Sequence, residues 1–123
     1  MTLQARRGDI WYVNLEPVLG SEQGKTRPAL VIQNDLGNRY SPTIIIAPLT
    51  SGEKARFEVN VEVKAPEGGL RNNSLILLNQ IRVVDRSRFG RYVGSVSSTT
   101  MRKVDEAIMS SLGIEGWVRK STR

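Results

Sequence analysis

Apolar and polar positions change places over short intervals along most of this chain, and the pattern predicts strands. Residues 9–15, rich in Ile, Trp, Tyr and Val, read as the first. Residues 16–27 break the rhythm with Pro17, Gly20, Gly24 and scattered apolar positions. They predict a long polar loop, a kind of segment that in compact domains commonly carries function. Residues 28–33 form a second strand, and the unbroken run Ala29, Leu30, Val31, Ile32 predicts burial on both faces or a buried end. Residues 34–42 carry Gly37, Asn38, Ser41 and Pro42, which is turn chemistry. A β-branched strand follows at 43–49, with Pro48 close to its end, where a residue without an N–H belongs.

The clearest alternation lies at 57–63. Phe57, Val59, Val61 and Val63 interleave with Glu58, Asn60 and Glu62, giving a strand with one wet face. Residues 65–73 read as a turn or loop, 74–78 as a short buried strand, 79–85 as a turn leading into a short extended piece, and 92–96 as a closing strand. One stretch has helical spacing: Met101, Val104, Ala107, Ile108 and Leu112 share a face. Ser97 or Ser98 is the candidate N-cap, Gly113 the candidate C′ residue, and Ile114 is placed for the accompanying apolar contact. Short strands, one helix and no βαβ repeat predict a mainly β, β-rich α+β domain spanning residues 1–123. Its form is a compact antiparallel sheet or small barrel with the C-terminal helix packed on it. Residues 113–123 are left as a poorly ordered tail.

Composition narrows the chemistry. The chain has 123 residues, no cysteine and no histidine. Disulfides, thiolate nucleophiles and the commonest general base and metal ligand are therefore absent, and no metal site or other cofactor is expected. Catalysis would have to run on Arg, Lys, Asp, Glu, Tyr, Ser or Thr. The formal net charge of +6 favours a phosphate-rich or acidic partner. No apolar run nears the ~20 residues of a membrane span. The N-terminal Met-Thr-Leu-Gln-Ala-Arg-Arg passes directly into a strand pattern without a signal-peptide core, so a cytoplasmic location is expected.

Four stretches stand out for residue type: Arg7-Gly8-Asp9-Ile10-Trp11-Tyr12-Val13, the segment from Gly20-Ser21-Glu22-Gln23-Gly24-Lys25-Thr26-Arg27-Pro28 through Gln33-Asn34-Asp35, Ile46-Ala47-Pro48-Leu49-Thr50-Ser51, and Leu77-Leu78-Asn79-Gln80-Ile81-Arg82-Val83-Val84-Asp85. In this order and at these spacings they resemble the MazF/PemK family of toxin endoribonucleases, from about Arg7 to Leu112. The resemblance implies an SH3-like barrel with a C-terminal helix, assembled as a homodimer with single-stranded RNA in a groove across the interface. It also implies a cognate antitoxin that lays an acidic segment over the same surface.

Carried over by position, Arg27 is the catalytic arginine, a rigid and always charged fork suited to phosphate oxygens. Thr50 is its hydroxyl-bearing neighbour. Ser21, Gln23 and Lys25 are loop candidates for RNA contact, and Asn79, Gln80 and Arg82 are candidates for base or backbone contact. The implied reaction is metal-independent: the substrate's 2′-hydroxyl attacks the adjacent phosphate, leaving a 2′,3′-cyclic phosphate and a 5′-hydroxyl. Arginine is a poor proton acceptor, so Glu22, the nearest loop carboxylate in sequence, is the candidate base. The position before Gln80, often acidic in the family, is Asn79 here, and asparagine cannot shuttle a proton.

Several features have plainer readings. Arg82, Arg86, Arg88 and Arg91 read first as a solvated basic face, with RNA-backbone contact and its steep salt dependence as the functional alternative, and Trp11 and Tyr12 as core or interface rather than base-stacking platforms. Two rival functions remain: a toxin of the same fold that binds a protein such as DNA gyrase, and an RNA-binding domain that does not cut.

Overall fold

The computed structural model describes residues 3–20, 22, 24–51 and 59–114. Seven strands, β1 (Asp9–Asn14), β2 (Thr26–Val31), β3 (Thr43–Ser51), β4 (Asn60–Val63), β5 (Ser74–Leu77), β6 (Arg82–Asp85) and β7 (Phe89–Ser95), form one antiparallel sheet. Two helices accompany them, α1 (Asp35–Tyr40) and α2 (Ser98–Leu112). The path runs β4-β5-β3-β2-β1-β7, with β6 also paired to β3. β3 is the hub: Thr43–Ile46 pair with β6, Ile46–Pro48 with β2, and Leu49–Ser51 with β5. A strand shared in this way must bend, which curls the sheet. The far edge closes where β7 meets the 3-10 turn Glu67–Gly69. That approach demands glycine, because a Cβ on Gly94 would lie 2.5 Å from the Gly68 carbonyl oxygen.

The continuous apolar run of β2 is buried on both faces, as its pattern predicts. Leu30 and Ile32 join a core with Ile10, Leu49, Ile76 and Val104 beneath α2. Ala29 and Val31 join a second core with Val13, Leu15, Ile44 and Ile46 on the opposite face. α2 begins at Ser97, whose hydroxyl oxygen accepts from the Thr100 N–H at 3.1 Å. It ends in a Schellman motif: the Gly113 N–H donates to Ser110 and the Ile114 N–H to Met109, with Gly113 at φ 76°.

The expected antiparallel sheet and C-terminal helix are both present, with differences in detail. The predicted turn at 34–42 is the helix α1. Its turn-forming residues act instead as a cap: Asn34 Oδ1 accepts from the Gly37 N–H at 2.8 Å, and the Asn38 side chain donates back to the Gln33 carbonyl at 2.8 Å. The strand expected at 57–63 is described only from Asn60, since residues 57 and 58 lie outside the described residues. The closing strand starts at Phe89, three residues before the expected Tyr92, because Phe89 pairs with Val13 across irregularities in the β1–β7 ladder. Most of the tail, residues 115–123, lies outside the described residues.

Three of the four arginines after β5 are tied to backbone rather than free on a solvated face. Arg82 donates to the Leu15 carbonyl at 3.0 Å, Arg86 to the carbonyls of Ser41 and Asn38, and Arg88 to those of Asn14 and Glu16. These side chains brace backbone far away in the sequence. Of the four arginines, Arg91 alone keeps an exposed position facing a cleft.

Candidate active site

Two prolines shape the site. The β2–β3 ladder ends at the pair Ala29–Pro48, and neither Pro28 nor Pro48 has an N–H to extend it. Arg27 and Thr50 stand just past this last pair, one on each strand. Both line a cleft of about 290 Å³. Arg27 is held on two sides, its Nε–H donating to the Gly24 carbonyl at 2.8 Å and a terminal N–H to the Leu49 carbonyl at 3.4 Å. A guanidinium carries five N–H donors, so three stay available to a ligand. Pro28 favours an extended conformation at Arg27, and Arg27 sits opposite Val13 in the β1 ladder. Half-buried Thr50 is fixed from the other side by its pairing with Leu75.

The cleft also holds Arg71, which the sequence did not single out, and Arg91 and Tyr12, whose first readings were plainer ones. Arg71 enters from the loop after the Glu67–Gly69 turn, Arg91 from β7 and Tyr12 from β1. The Arg91 guanidinium lies 4.8 Å from the Tyr12 ring centroid. Ser74 also reaches the wall, its hydroxyl donating to the Asn72 carbonyl at 3.0 Å. Among the described residues, the lining contains three arginines and no carboxylate. Nothing in the local sequence of Arg71 separates it from an ordinary loop arginine.

The other candidates are placed elsewhere. Ser21 and Gln23 lie outside the described residues. Glu22 is exposed, and its carboxylate turns back to accept from the Leu19 N–H at 2.5 Å. Lys25 adopts φ 64°; its N–H donates to Glu16 Oε2 at 2.5 Å and its carbonyl accepts from the Leu15 N–H, so its backbone closes the base of the loop. Asn79 is exposed in the β5–β6 turn, where the Gln80 N–H donates to the Leu77 carbonyl at 3.0 Å. Arg82 braces Leu15, as described above. None of Glu22, Lys25, Asn79, Gln80 or Arg82 lines the Arg27–Thr50 cleft. The residues Gln33, Asn34 and Asp35 are structural: they cap α1, and Asp35 also accepts from the Arg7 N–H at 2.7 Å. That bond, with the Asn38 amide, holds the Asp35 carboxyl below its ordinary range. Among the described residues no group of three or more Asp or Glu side chains is arranged to hold a metal ion.

Among the described residues, the cleft of this small curled β-sheet protein joins three guanidiniums to a strand-end hydroxyl, a lining whose chemistry suits an anion. Residues 6–112 match the family model described as PemK-like, MazF-like toxin of type II toxin-antitoxin system. The chain belongs to this family. It is 46% identical over 110 residues to the endoribonuclease EndoA of Bacillus subtilis, covering 89% of this chain and 95% of that protein. It is 44% identical over 113 residues to the endoribonuclease MazF of Staphylococcus epidermidis, covering 91% and 94%. The crystal structure of MazF from Deinococcus radiodurans superposes with a TM-score of 0.79 at 26% identity, covering 91% of this chain and 99% of that one.

Proposed function

We propose that this protein is the toxin of a type II toxin–antitoxin pair and acts by cutting single-stranded RNA with Arg27 and Thr50. One observation carries the reading: a fixed guanidinium and a hydroxyl flank the same cleft, in a lining that is free of carboxylates among the described residues. Such a lining attracts a phosphodiester and repels nothing about it. Arg27 donates to the non-bridging oxygens as charge builds on them, and Thr50 adds a second donor, both preorganised before substrate arrives. The ribose 2′-oxygen forms a bond to phosphorus while the bond to the 5′-oxygen breaks. The 2′-hydroxyl proton passes to solvent water, the leaving 5′-oxygen takes a proton from solvent, and the products are a 2′,3′-cyclic phosphate and a 5′-hydroxyl.

The protein works as a homodimer and is silenced by an antitoxin whose acidic segment competes for the same cationic surface. The membership of a toxin–antitoxin family and the net charge of +6 support that partner. Its site of action is cytoplasmic RNA.

The decisive experiment uses one mapped RNA in two forms, all-ribose and with a single deoxyribose at the cut nucleotide, incubated in EDTA. Cutting of the first alone, with cyclic-phosphate and 5′-hydroxyl ends, is expected. Cutting of both, or of neither, overturns the reaction proposed.

A further inference from the structure

Arg71 and Arg91 are the unassigned cations of the cleft. We propose that they form a subsite for the phosphodiesters flanking the scissile one, so that they set RNA affinity while Arg27 and Thr50 set the rate. The inference deepens the nuclease reading and rests on it.

The strand order supplies the geometry. β2, β1 and β7 are consecutive neighbours in the sheet. Arg27 lies on β2, Tyr12 on β1 opposite Pro28, and Arg91 on β7. Two strand spacings separate the backbones of Arg27 and Arg91, about 10 Å. A chain of phosphates crossing the strands therefore meets the two guanidiniums one after another. Tyr12 holds the second in place: its ring lies under the Arg91 guanidinium, a contact that leaves the N–H edge free for a phosphate. At the closure of the sheet, Arg71 follows buried Leu70 and a turn whose Gly69 backbone is pressed against the Val93 carbonyl of β7. Its backbone is thus fixed although its side chain is exposed.

Charge supports the same reading. The guanidiniums of Arg7, Arg82, Arg86 and Arg88 are committed to carbonyl or carboxylate oxygens. Among the described residues the one salt bridge is Arg7–Asp105, and none of their carboxylates pairs with Arg71 or Arg91. Two forks in a shared cleft, beside a third that is aimed by the backbone, form a cationic track for a polyanion.

Arg71→Gln, Arg91→Gln and the double variant test this, with Arg102→Gln on the exposed face of α2 as a charge-matched control. KM and kcat are measured on the mapped RNA. Binding is measured as a function of salt on the same oligonucleotide carrying deoxyribose at the cut nucleotide. Each cleft variant is expected to raise KM ~5–10-fold with kcat within twofold, and to lower the slope of log affinity against log salt by about 0.7. The control should change neither. A fall in kcat at constant KM, or an unchanged KM and slope, overturns the proposal. So does unchanged RNA binding coupled with lost binding of a poly-glutamate peptide, which would assign the pair to an acidic polypeptide. If the wild-type protein fails to cut RNA, the nuclease reading falls, and the salt slopes still decide whether these arginines hold phosphates.

Discussion

The Arg27 guanidinium donates to the carbonyl oxygen of Leu49, the residue immediately before Thr50, at 3.4 Å. The two proposed catalytic side chains are therefore tied through one peptide, and neither strand can shift without disturbing the other. A lysine at position 27 keeps the charge and loses the fork. It cannot donate at once to the Gly24 and Leu49 carbonyls and to two phosphate oxygens. Arg27→Lys should lower kcat about 10²–10³-fold, with a melting temperature close to that of the wild type. Single-turnover cleavage of a mapped RNA is the measurement, and a variant within tenfold of wild type would remove the guanidinium's special role.

Thr50→Val isolates the hydroxyl. Valine keeps the β-branch that suits a strand, and Thr50 is held in β3 through its pairing with Leu75. The sheet should be undisturbed, and kcat should fall ~10–100-fold, less than for Arg27 because a neutral donor is weaker than a charged one. Circular dichroism and urea titration check the fold. Activity equal to wild type would leave Thr50 as an ordinary strand residue.

The sheet, the capped C-terminal helix and the two-sided burial of β2 were legible in the sequence because each follows from local pattern. The helix α1 was not, since Asn34, Gly37 and Asn38 serve a turn and a short capped helix equally well. What decided was the Asn38–Gln33 contact, which exists only once the helix has formed. The site was half legible. Arg27 and Thr50 could be placed by resemblance, and the cleft brings them together. Arg71 could not, and Arg91 stood out only as one of four clustered arginines, because the place of both in the cleft depends on how the turn at Glu67–Gly69 closes against β7, and closure is a property of the whole sheet. Arg82, Arg86 and Arg88 misled for a similar reason. The carbonyls that bind Arg82 and Arg88 belong to residues 14–16, more than 60 positions away in the chain.

That closure can be tested directly. A Cβ on Gly94 would sit 2.5 Å from the Gly68 carbonyl oxygen and 2.9 Å from the Gly69 nitrogen, backbone atoms that cannot step aside. Gly90, four residues earlier on the same strand, would place its Cβ an ordinary 3.5 Å from the nearest atom. Gly94→Ala should cost about 2–3 kcal/mol, read as a lower urea midpoint, and should also raise KM because the wall bearing Arg71 moves. Gly90→Ala should stay within about 0.5 kcal/mol of wild type. Equal effects at the two positions would mean that β7 does not clamp the turn.

The same turn carries a carboxylate that makes stability depend on acid. Glu67 Oε2 accepts from the Ser97 N–H at 3.0 Å and from the Thr100 hydroxyl at 2.6 Å, joining the turn to the first residues of α2. These bonds favour the ionised form and hold the Glu67 carboxyl below its ordinary value. A carboxyl whose folded pKa is depressed binds protons more weakly when folded than when unfolded. Its contribution is therefore complete above the unfolded value, about 4.3, and is lost as pH falls from there through the folded value. Glu67→Gln keeps the shape and one acceptor but gives up the charge at the N-terminus of α2, which should cost about 1 kcal/mol at pH 7. As pH falls below the unfolded value the advantage of the charged glutamate is progressively lost, so the two proteins should converge in urea midpoint. A gap that stays constant from pH 7 to pH 3 would show that the glutamate acts through packing and not through its charge.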